Sequence, residues 1–179
     1  HAYPNVEETS AAVGWHVVLN GMNSILLGEI FPKLDFDMFR ASEWHAAVHA
    51  TLRVISGGPI YISDATPFQK ADKDKTVLLL SRLVTRFGIV PSCLYPGRAT
   101  SDCIFADPRA GDPCLFKIWN RNSVNGVLAV FNLSENIHLS GTFSPSDIPD
   151  FARFGQTSFV TVSAAASPGN DTVQHYHTN

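Results

Sequence analysis

Two carboxylates spaced two residues apart, Asp35 and Asp37, are the first residues of the chain whose types and spacing are suited to chemistry. They lie in a run of alternating apolar and charged residues, 34–39, which predicts a strand, and side chains at i and i+2 of a strand point to the same face. Two like charges held close together raise the pKa of one of them, which suits acid–base catalysis. The alternative is a solvated strand end, which is the stronger interpretation from the spacing alone.

A third carboxylate, Asp64, follows the short β-branched and aromatic run 60–62, which predicts a second strand. A carboxylate just beyond a parallel strand is well placed to contact a substrate in a barrel enzyme. An aspartate at this position also commonly caps or turns the loop that follows. The sequence supports the two interpretations equally.

Two further groups could bind a ligand, although a structural role is the stronger interpretation of each. Glu43, His45 and His49 lie close in sequence, and histidines at i and i+4 of a helix can bind zinc, but no third ligand is evident and the pattern is not H-E-x-x-H. In the second half, Trp119 with Asn120 and Asn122 could stack on a sugar and bind its hydroxyl groups. A tryptophan inside an apolar run more often belongs to the core.

The elements that must position these residues differ between the two halves of the chain. The first half alternates helices and short strands, and Ser42 and Gly57-Gly58 mark the ends of its second helix. From Pro91 onward, turn signals at 108–111 and 125–126 separate short apolar runs. The predicted helices are 10–28, 42–56 and 74–87, the last with Gly88 beyond its end; the predicted strands are 34–39, 60–62, 103–106, 115–119, 127–131 and 158–162, followed by a frayed polar tail, 167–179.

Composition narrows the class of protein. The net charge of −3 comes without a basic stripe, so nucleic acid is not an expected partner. The apolar runs are shorter than the roughly 18 residues that a membrane span needs, so no membrane association is expected. Three cysteines, at positions 93, 103 and 114, form neither a disulfide framework nor a zinc motif. They are expected to be reduced and mostly buried, which favours a cytoplasmic protein.

Five segments, in order along the chain, resemble the raffinose synthase, seed imbibition protein and alkaline α-galactosidase family (glycoside hydrolase family 36). The family sequences are D-W-D-M-F, then A-E-Y-H-G-A-A-R-A-I-G-G with I-Y-V-S-D, P-G-R-P-T-R-D-C-L-F, L-K-I-W-N-M-N and G-V-V-G-V-F-N. The similar segments here are 35–39 (DFDMF), 42–64 (SEWHAAVHATLRVISGGPIYISD), 96–105 (PGRATSDCIF), 116–122 (FKIWNRN) and 126–132 (GVLAVFN).

The resemblance implies an α/β region followed by a β region. Residues 1–90 are expected to form the last strand–helix units of a (β/α)8 (TIM) barrel, 91–166 an antiparallel C-terminal β-domain, and 167–179 a polar tail. It also implies part of a retaining α-galactosidase or galactosyltransferase that acts on raffinose-family or other α-1,6-galactosides, with no metal or organic cofactor. The partner is then a galactoside or oligosaccharide, and the oligomeric state is left open. A catalytically inactive relative that binds sugar or a partner protein is the alternative.

The resemblance places no catalytic residue in this chain. The nucleophile and the acid/base aspartate are expected upstream of residue 1, and the chain by itself is expected to be inactive. Tyr3-Pro4 is similar to the end of the family's R-x-S-D-D-F-Y-P segment, with His1 where the acid/base aspartate stands. The implied substrate-binding residues are Asp37 and Met38, with Asp64 near the same barrel mouth and Asp35 as a motif residue. In this register His49 replaces an arginine of the family and receives no role.

Overall fold

The computed structural model describes residues 10–64, 70–108, 113–123, 125–134, 138–149, 159–163 and 173–177. The chain begins with three helices and continues with five strands. The helices are α1 (Ser10–Leu27), α2 (Ala46–Ser56) and α3 (Lys70–Leu83); the strands are β1 (Arg98–Ala99), β2 (Leu115–Arg121), β3 (Gly126–Asn132), β4 (Phe159–Ser163) and β5 (Val173–His177). The calls on His1, on Tyr3-Pro4 and on most of the 108–111 turn lie outside the described residues.

Helix α1 has the predicted extent, although Trp15, Leu19 and Leu26, whose apolar spacing predicts it, are largely exposed. It packs with another face against the sheet formed by β1, β2 and β3. Val17 and Val18 are buried on this face. At Gly21 the helix approaches the sheet so closely that an added Cβ would lie 3.2 Å from side-chain atoms of Phe116 and Ile118. Glycine therefore allows the close contact between this helix and β2.

Helix α2 begins later than predicted. Its first residue is Ala46, preceded by His45 without a side-chain cap, so the prediction that Ser42 caps the helix is wrong. The amide nitrogens of Ala41 and Ser42 instead donate to the carboxylate of Asp64, which holds this segment outside the helix. The predicted end is confirmed, because Gly57 follows Ser56 with a left-handed φ of 72°.

The two strands predicted at 34–39 and 60–62 are reduced to one parallel bridge, between Phe39 and Ile62. The amide of Phe39 donates to Tyr61, and the amide of Ser63 donates back to Phe39, at 3.1 and 2.9 Å. Full strands at these positions are wrong for the described residues. A continuous ladder needs extended backbone over several residues, whereas Asp37 has a φ of 68°.

Helix α3 occupies Lys70–Leu83 rather than the predicted 74–87. The chain leaves the helix in a turn closed by hydrogen bonds between Thr85 and both Gly88 and Ile89. Gly88 has the positive φ expected of a residue beyond a helix, 77°, but it lies in this turn. The apolar residues Val84 and Phe87 continue the helical spacing, so the local turn overrides the pattern.

Strands β1, β2 and β3 form an antiparallel sheet in that order, with Phe116 opposite Phe131 and Ile118 opposite Ala129. The predicted strands at 115–119 and 127–131 are thereby confirmed. The strand predicted at 103–106 is wrong, because Ser101–Cys103 is a 3-10 helix followed by a turn. Backbone hydrogen bonds from Cys103 to Thr100 and from Ala106 to Cys103 close that helical turn.

A second antiparallel sheet consists of β4 and β5, with Phe159 opposite His177. The strand predicted at 158–162 is confirmed within one residue. The prediction of a frayed tail is wrong for Val173–His177, because these residues pair with β4 over their whole length. These residues are extended because they pair with the preceding strand, which their own polar sequence does not predict.

The main core contains residues from both sides of position 90, among them Val17 and Leu52 from the helices and Phe116 and Phe131 from the sheet. A smaller cluster joins α2 to α3 around Phe39. The barrel remnant and the boundary at 90/91 stay predictions. No helix in the described ranges is long and apolar enough to cross a membrane.

Candidate functional site

The two carboxylates lie in an Asx turn at residues 35–38, called here the 35–38 turn, in which a side chain closes the hydrogen bond. The side chain of Asp35 accepts a hydrogen bond from the amide of Asp37 at 2.8 Å, and the side chain of Asp37 accepts one from the amide of Met38 at 2.7 Å. Asp37 has a left-handed φ of 68°, a region in which aspartate is tolerated because its short side chain can bond to nearby backbone. The two carboxylates therefore shape the backbone as well as facing solvent.

The guanidinium of Arg53, on α2, donates hydrogen bonds to the backbone of this turn. Arg53 is completely buried, and it donates from Nε to the carbonyl oxygen of Asp37 and from Nη2 to that of Met38, both at 3.1 Å. Each hydrogen bond from a charged donor contributes about 1.5–3 kcal/mol. A left-handed L-residue costs about 1–2 kcal/mol. Two such contacts outweigh the strain at Asp37, so the turn is stable in this conformation.

His49, one helical turn before Arg53, completes the support. Its Nδ1 lies 2.5 Å from Nη1 of Arg53. Because a guanidinium has only donors, Nδ1 must accept, which leaves the proton of the neutral imidazole on Nε2. The histidine is 2% exposed and its ring stacks on Phe39 with centroids 6.2 Å apart. His49 therefore has a structural role, which is the stronger of the two interpretations of its sequence pattern, although the family resemblance gave it no function.

The zinc interpretation of Glu43, His45 and His49 has no support in the structure. His45 and His49 pack ring against ring with centroids 4.8 Å apart, and His16 of α1 meets the edge of His49. In the described ranges no group of three or more histidine, cysteine, aspartate or glutamate side chains could hold a metal ion. Glu43 forms an ion pair with Arg40 instead. The histidines belong to an aromatic cluster between α1 and α2, which is the structural role favoured by the sequence.

Asp64 serves as a backbone anchor. Its two carboxylate oxygens accept hydrogen bonds from the amides of Ala41 and Ser42, at 2.7 and 2.8 Å. In the parallel register of Phe39 and Ile62, Asp64 is level with Ala41, whereas Asp37 lies on the other side of the bridge. Asp64 thus fixes the chain that follows the 35–38 turn. These two bonds differ from the predicted structural role, which was to cap or turn the loop after Asp64, because both amides lie earlier in the chain.

The 35–38 turn offers polar and apolar contacts side by side. Asp35 is exposed, Asp37 is half-buried, and the side chain of Met38 is 48% exposed. Carboxylate oxygens accept hydrogen bonds from hydroxyl groups, and an exposed thioether side chain supplies a flexible apolar contact. This combination is suited to a ligand with both hydroxyl groups and C–H faces.

The amide that was considered for sugar binding in the β region is instead a structural link. Asn120 is completely buried, and its side-chain amide donates to the carbonyl oxygens of Ile55 and Tyr95 at 2.7 and 2.5 Å. The side chain of Asn122 accepts from the amide of Asn125 in the β2–β3 turn. Asn120 therefore cannot reach a sugar, whereas Asn122 and Trp119 are half-buried.

A buried lysine on the opposite side of β2 was not identified from the sequence. The ammonium of Lys117 lies 2.8 Å from Asp102 and 3.2 Å from Asp147. Burial by itself would lower the pKa of Lys117, but hydrogen bonds to Asp102 and Asp147 outweigh it, and the pKa is raised above 10.5. Partial burial would raise the pKa of Asp102, but Lys117 and Thr100 hold it below 3.8. Asp102 and Lys117 border a cleft of about 260 Å³.

Arg53 is the main residue of the site that sequence reasoning missed. The feature that could have identified it is a basic residue on the otherwise uncharged, buried face of α2. The sequence around Arg53, RVISGG at 53–58, is also similar to the R-A-I-G-G of the family segment. In this alignment the family arginine matches Arg53, one helical turn after His49. Lys117 carries no comparable signal, because its partners are 15 and 30 residues away.

Comparison with known proteins follows the same segments. The family model described as "Raffinose synthase or seed imbibition protein Sip1" matches residues 4–144. The probable galactinol–sucrose galactosyltransferase 6 of Arabidopsis thaliana is 42% identical over 117 residues, which cover 65% of this chain and 15% of that protein. The probable galactinol–sucrose galactosyltransferase 1 of the same plant is 33% identical over 169 residues, 90% of this chain and 22% of that protein.

A third relative is named for a different product. Stachyose synthase of Pisum sativum is 36% identical over 119 residues, which cover 66% of this chain and 13% of that protein. The chain thus spans between about an eighth and a quarter of the length of these relatives.

Proposed function

Because the chain belongs to the raffinose synthase and seed imbibition protein family, we propose that it is the galactosyl-binding part of an enzyme that transfers galactose from galactinol to sucrose or to a longer raffinose-family oligosaccharide. The support is that the similar proteins are named galactinol–sucrose galactosyltransferases and a stachyose synthase. Transfer is preferred to hydrolysis because each of these names describes a synthase or a transferase.

The proposed setting is the end of a (β/α)8 barrel followed by an antiparallel β-domain. A parallel bridge joined through one helix, from Phe39 through α2 to Ile62, is the connection that a strand–helix–strand unit makes. In such barrels the substrate lies at the ends of the strands, within the loops that follow them. Asp64 follows Ile62 on the carboxyl side of this bridge, and the 35–38 turn directly precedes Phe39 on its amino side.

In the proposed mechanism, Asp37 and Met38 bind the galactosyl group of the donor. The carboxylate of Asp37 accepts hydroxyl hydrogens of the sugar, and Met38 contacts its apolar C–H face. Asp35 and Asp64 hold the backbone on either side. The reaction itself needs two carboxylates roughly 5–5.5 Å apart, one as nucleophile and one as acid/base. Other parts of the enzyme supply both, and the acceptor sugar competes with water for the galactosyl-enzyme intermediate.

One observation carries the proposal. The 35–38 turn lies in the D-F-D-M-F segment, exposes a methionine, and has its strained Asp37 held by a buried arginine. A solvated strand end has no need of a buried guanidinium behind it. Strained residues held by surrounding structure are concentrated at ligand sites.

The test is to express the chain and also the full reading frame in which it lies. Both proteins are assayed with galactinol plus sucrose, and with p-nitrophenyl α-galactoside in water. We expect raffinose formation only by the full protein, and its loss by at least 100-fold in the Asp37→Ala variant. Release of free galactose without transfer would replace the proposal with hydrolysis. If the full protein is inactive but still binds galactose, the sugar-binding alternative is correct.

A further inference from the structure

We propose that Arg53, with His49 as its acceptor, is a positioning residue that holds the 35–38 turn in the conformation that binds the galactosyl group. This inference rests on the proposed function for the identity of the sugar. The geometry of the turn itself does not depend on it.

The arginine sets the direction of two successive peptide groups. Its Nε and Nη2 donate to the carbonyl oxygens of Asp37 and Met38, at 3.1 Å each. Two consecutive carbonyls turned toward one planar cation leave their peptide amides turned outward. Those amides belong to Met38, which donates to the side chain of Asp37, and to Phe39, which donates to the carbonyl oxygen of Tyr61. The conformation of the Asp37 carboxylate is therefore set from the far side of the backbone by one guanidinium.

The orientation of the guanidinium is fixed in turn by α2. Nη1 lies 2.5 Å from Nδ1 of His49 and also donates to the carbonyl oxygen of that residue at 3.4 Å. The guanidinium carbon lies 5.3 Å from the centre of the Phe39 ring, so the flat cation is also held by an aromatic face. Arg53 reaches no solvent, so it acts on a ligand only through the turn.

Lysine cannot replace this arrangement. A guanidinium presents five donors in a rigid plane, whereas an ammonium is one point charge. Arg53→Lys keeps the charge but cannot reach Asp37, Met38 and His49 together. We expect the KM for galactinol to rise by roughly tenfold or more in the full protein, with a smaller change in kcat, because the turn binds the ground state as well as the transition state.

A second readout needs no activity. The chain has two methionines, Met22 and Met38, so methyl-13C-methionine labelling of the chain yields two methyl signals. We expect Arg53→Lys to shift the signal of Met38 and to leave that of Met22, in the main core, nearly unchanged. The matched control is Ile55→Val, a mild truncation of a buried residue on the same helix.

A variant pair at His49 tests the acceptor while Arg53 stays in place. His49→Asn keeps an oxygen that can accept from the guanidinium, and His49→Phe keeps only the ring. We expect His49→Phe to move the Met38 signal and His49→Asn to move it less. The positioning role would be overturned if the Met38 signal shifted equally in Arg53→Lys and Ile55→Val. It would also be overturned if that signal shifted in neither Arg53→Lys nor His49→Phe. If the full wild-type protein makes no raffinose, only the proposed function fails, because the methyl signals still report the turn.

Discussion

At the scale of single residues, the 35–38 turn shows why an aspartate stands at a left-handed position. Glycine would adopt the φ of 68° more readily, but it has no side chain to accept from the amide of Met38. Asparagine and aspartate both combine tolerance of this region with a local hydrogen bond. The residue type therefore serves the backbone and, in the proposed function, the ligand.

These two roles can be separated by substitution. We expect Asp37→Asn to keep stability within about 0.5 kcal/mol, because an amide oxygen can also accept from Met38. Asp37→Ala should cost about 1–2 kcal/mol, because it keeps the backbone strain and loses that bond. Urea denaturation of the chain measures both. Equal losses in the two variants would show that the charge, and not the backbone conformation, is what stabilises the turn.

The buried ion pairs of Lys117 also belong to this scale. Replacing Lys117 by methionine keeps the apolar stem and removes the ammonium that Asp102 and Asp147 share. We expect a loss of about 1–3 kcal/mol at neutral pH, since hydrogen bonds to a charged group are lost while Asp102 remains largely in water. Thermal unfolding measures the change, with the exposed Lys73→Met as the control.

The same variant predicts a pH dependence. The pKa of Asp102 is lowered in the fold, so its stabilisation is present above its ordinary value of 3.8 and is lost as the pH falls through the folded pKa. The pKa of Lys117 is raised, so its contribution is present below 10.5 and is lost as the pH rises through the folded pKa. The stability difference between wild type and Lys117→Met should therefore be flat from about pH 5 to 9 and shrink below about pH 3.8. A difference that grows in acid would contradict this assignment.

At the scale of elements, the end of α2 is the junction of the two halves of the described chain. Gly57 ends the helix in the left-handed region, and an added Cβ there would overlap the carbonyl oxygen of Tyr95. The carbonyl of Ser56 accepts from the amide of Gly97, and that of Ile55 accepts from Asn120 of β2. The free carbonyls of the helix end are thus satisfied by the sheet region.

Asn120 is the residue on which this junction depends. We expect Asn120→Asp, which replaces a donor by an acceptor facing two carbonyl oxygens, to cost about 2–4 kcal/mol, because buried polar groups lose their partners. Asn122→Asp in the neighbouring turn is the matched control and should cost less than about 1 kcal/mol, since its acceptor oxygen is kept. Urea denaturation distinguishes the two. A similar small loss in both would mean that water replaces the buried bonds.

At the scale of the whole molecule, α1 covers the sheet with one side and exposes apolar residues on the other. Trp15 is 50% exposed and Leu26 is 74% exposed, and Ile30 just beyond the helix is 68% exposed. Large exposed apolar patches usually mark surfaces that another part of a protein covers. In the proposed barrel, the part of the enzyme outside this chain covers that side.

This arrangement predicts that a charge on the exposed apolar side of α1 has opposite effects in this chain and in the full protein. Leu26→Lys should raise the solubility of the chain, because it interrupts an exposed apolar surface. The same change should lower the expression and activity of the full protein by several-fold, because it places a charge in a contact. Asn23→Lys, at an exposed polar position of the same helix, should do neither. Unchanged activity in the full Leu26→Lys protein would show that the surface of α1 stays exposed.

The sequence predicted elements best where the signal is local. The apolar spacing of α1, the glycine after α2 and the alternation in β2 and β3 all depend on neighbours within a few residues, and their positions agree with prediction to within a few residues. The prediction was wrong where a distant group decides the conformation. Ser42 does not cap α2 because Asp64, 22 residues away, binds its amide. The strand at 103–106 was wrong because local hydrogen bonds close a 3-10 turn there, and the frayed tail was wrong because its residues pair with β4.

By itself, the sequence determined the family of the chain, the D-F-D-M-F segment and most of the helices and strands of the main sheet. Residue types and short spacings depend only on neighbours in the chain, so they can be recognised without knowledge of the fold. Only the tertiary structure decided that Arg53 rather than His49 contacts the 35–38 turn, that Asn120 is a buried link, and that Lys117 joins Asp102 to Asp147. Hydrogen bonds between residues 15 to 65 positions apart depend on how the elements pack, which local patterns do not encode.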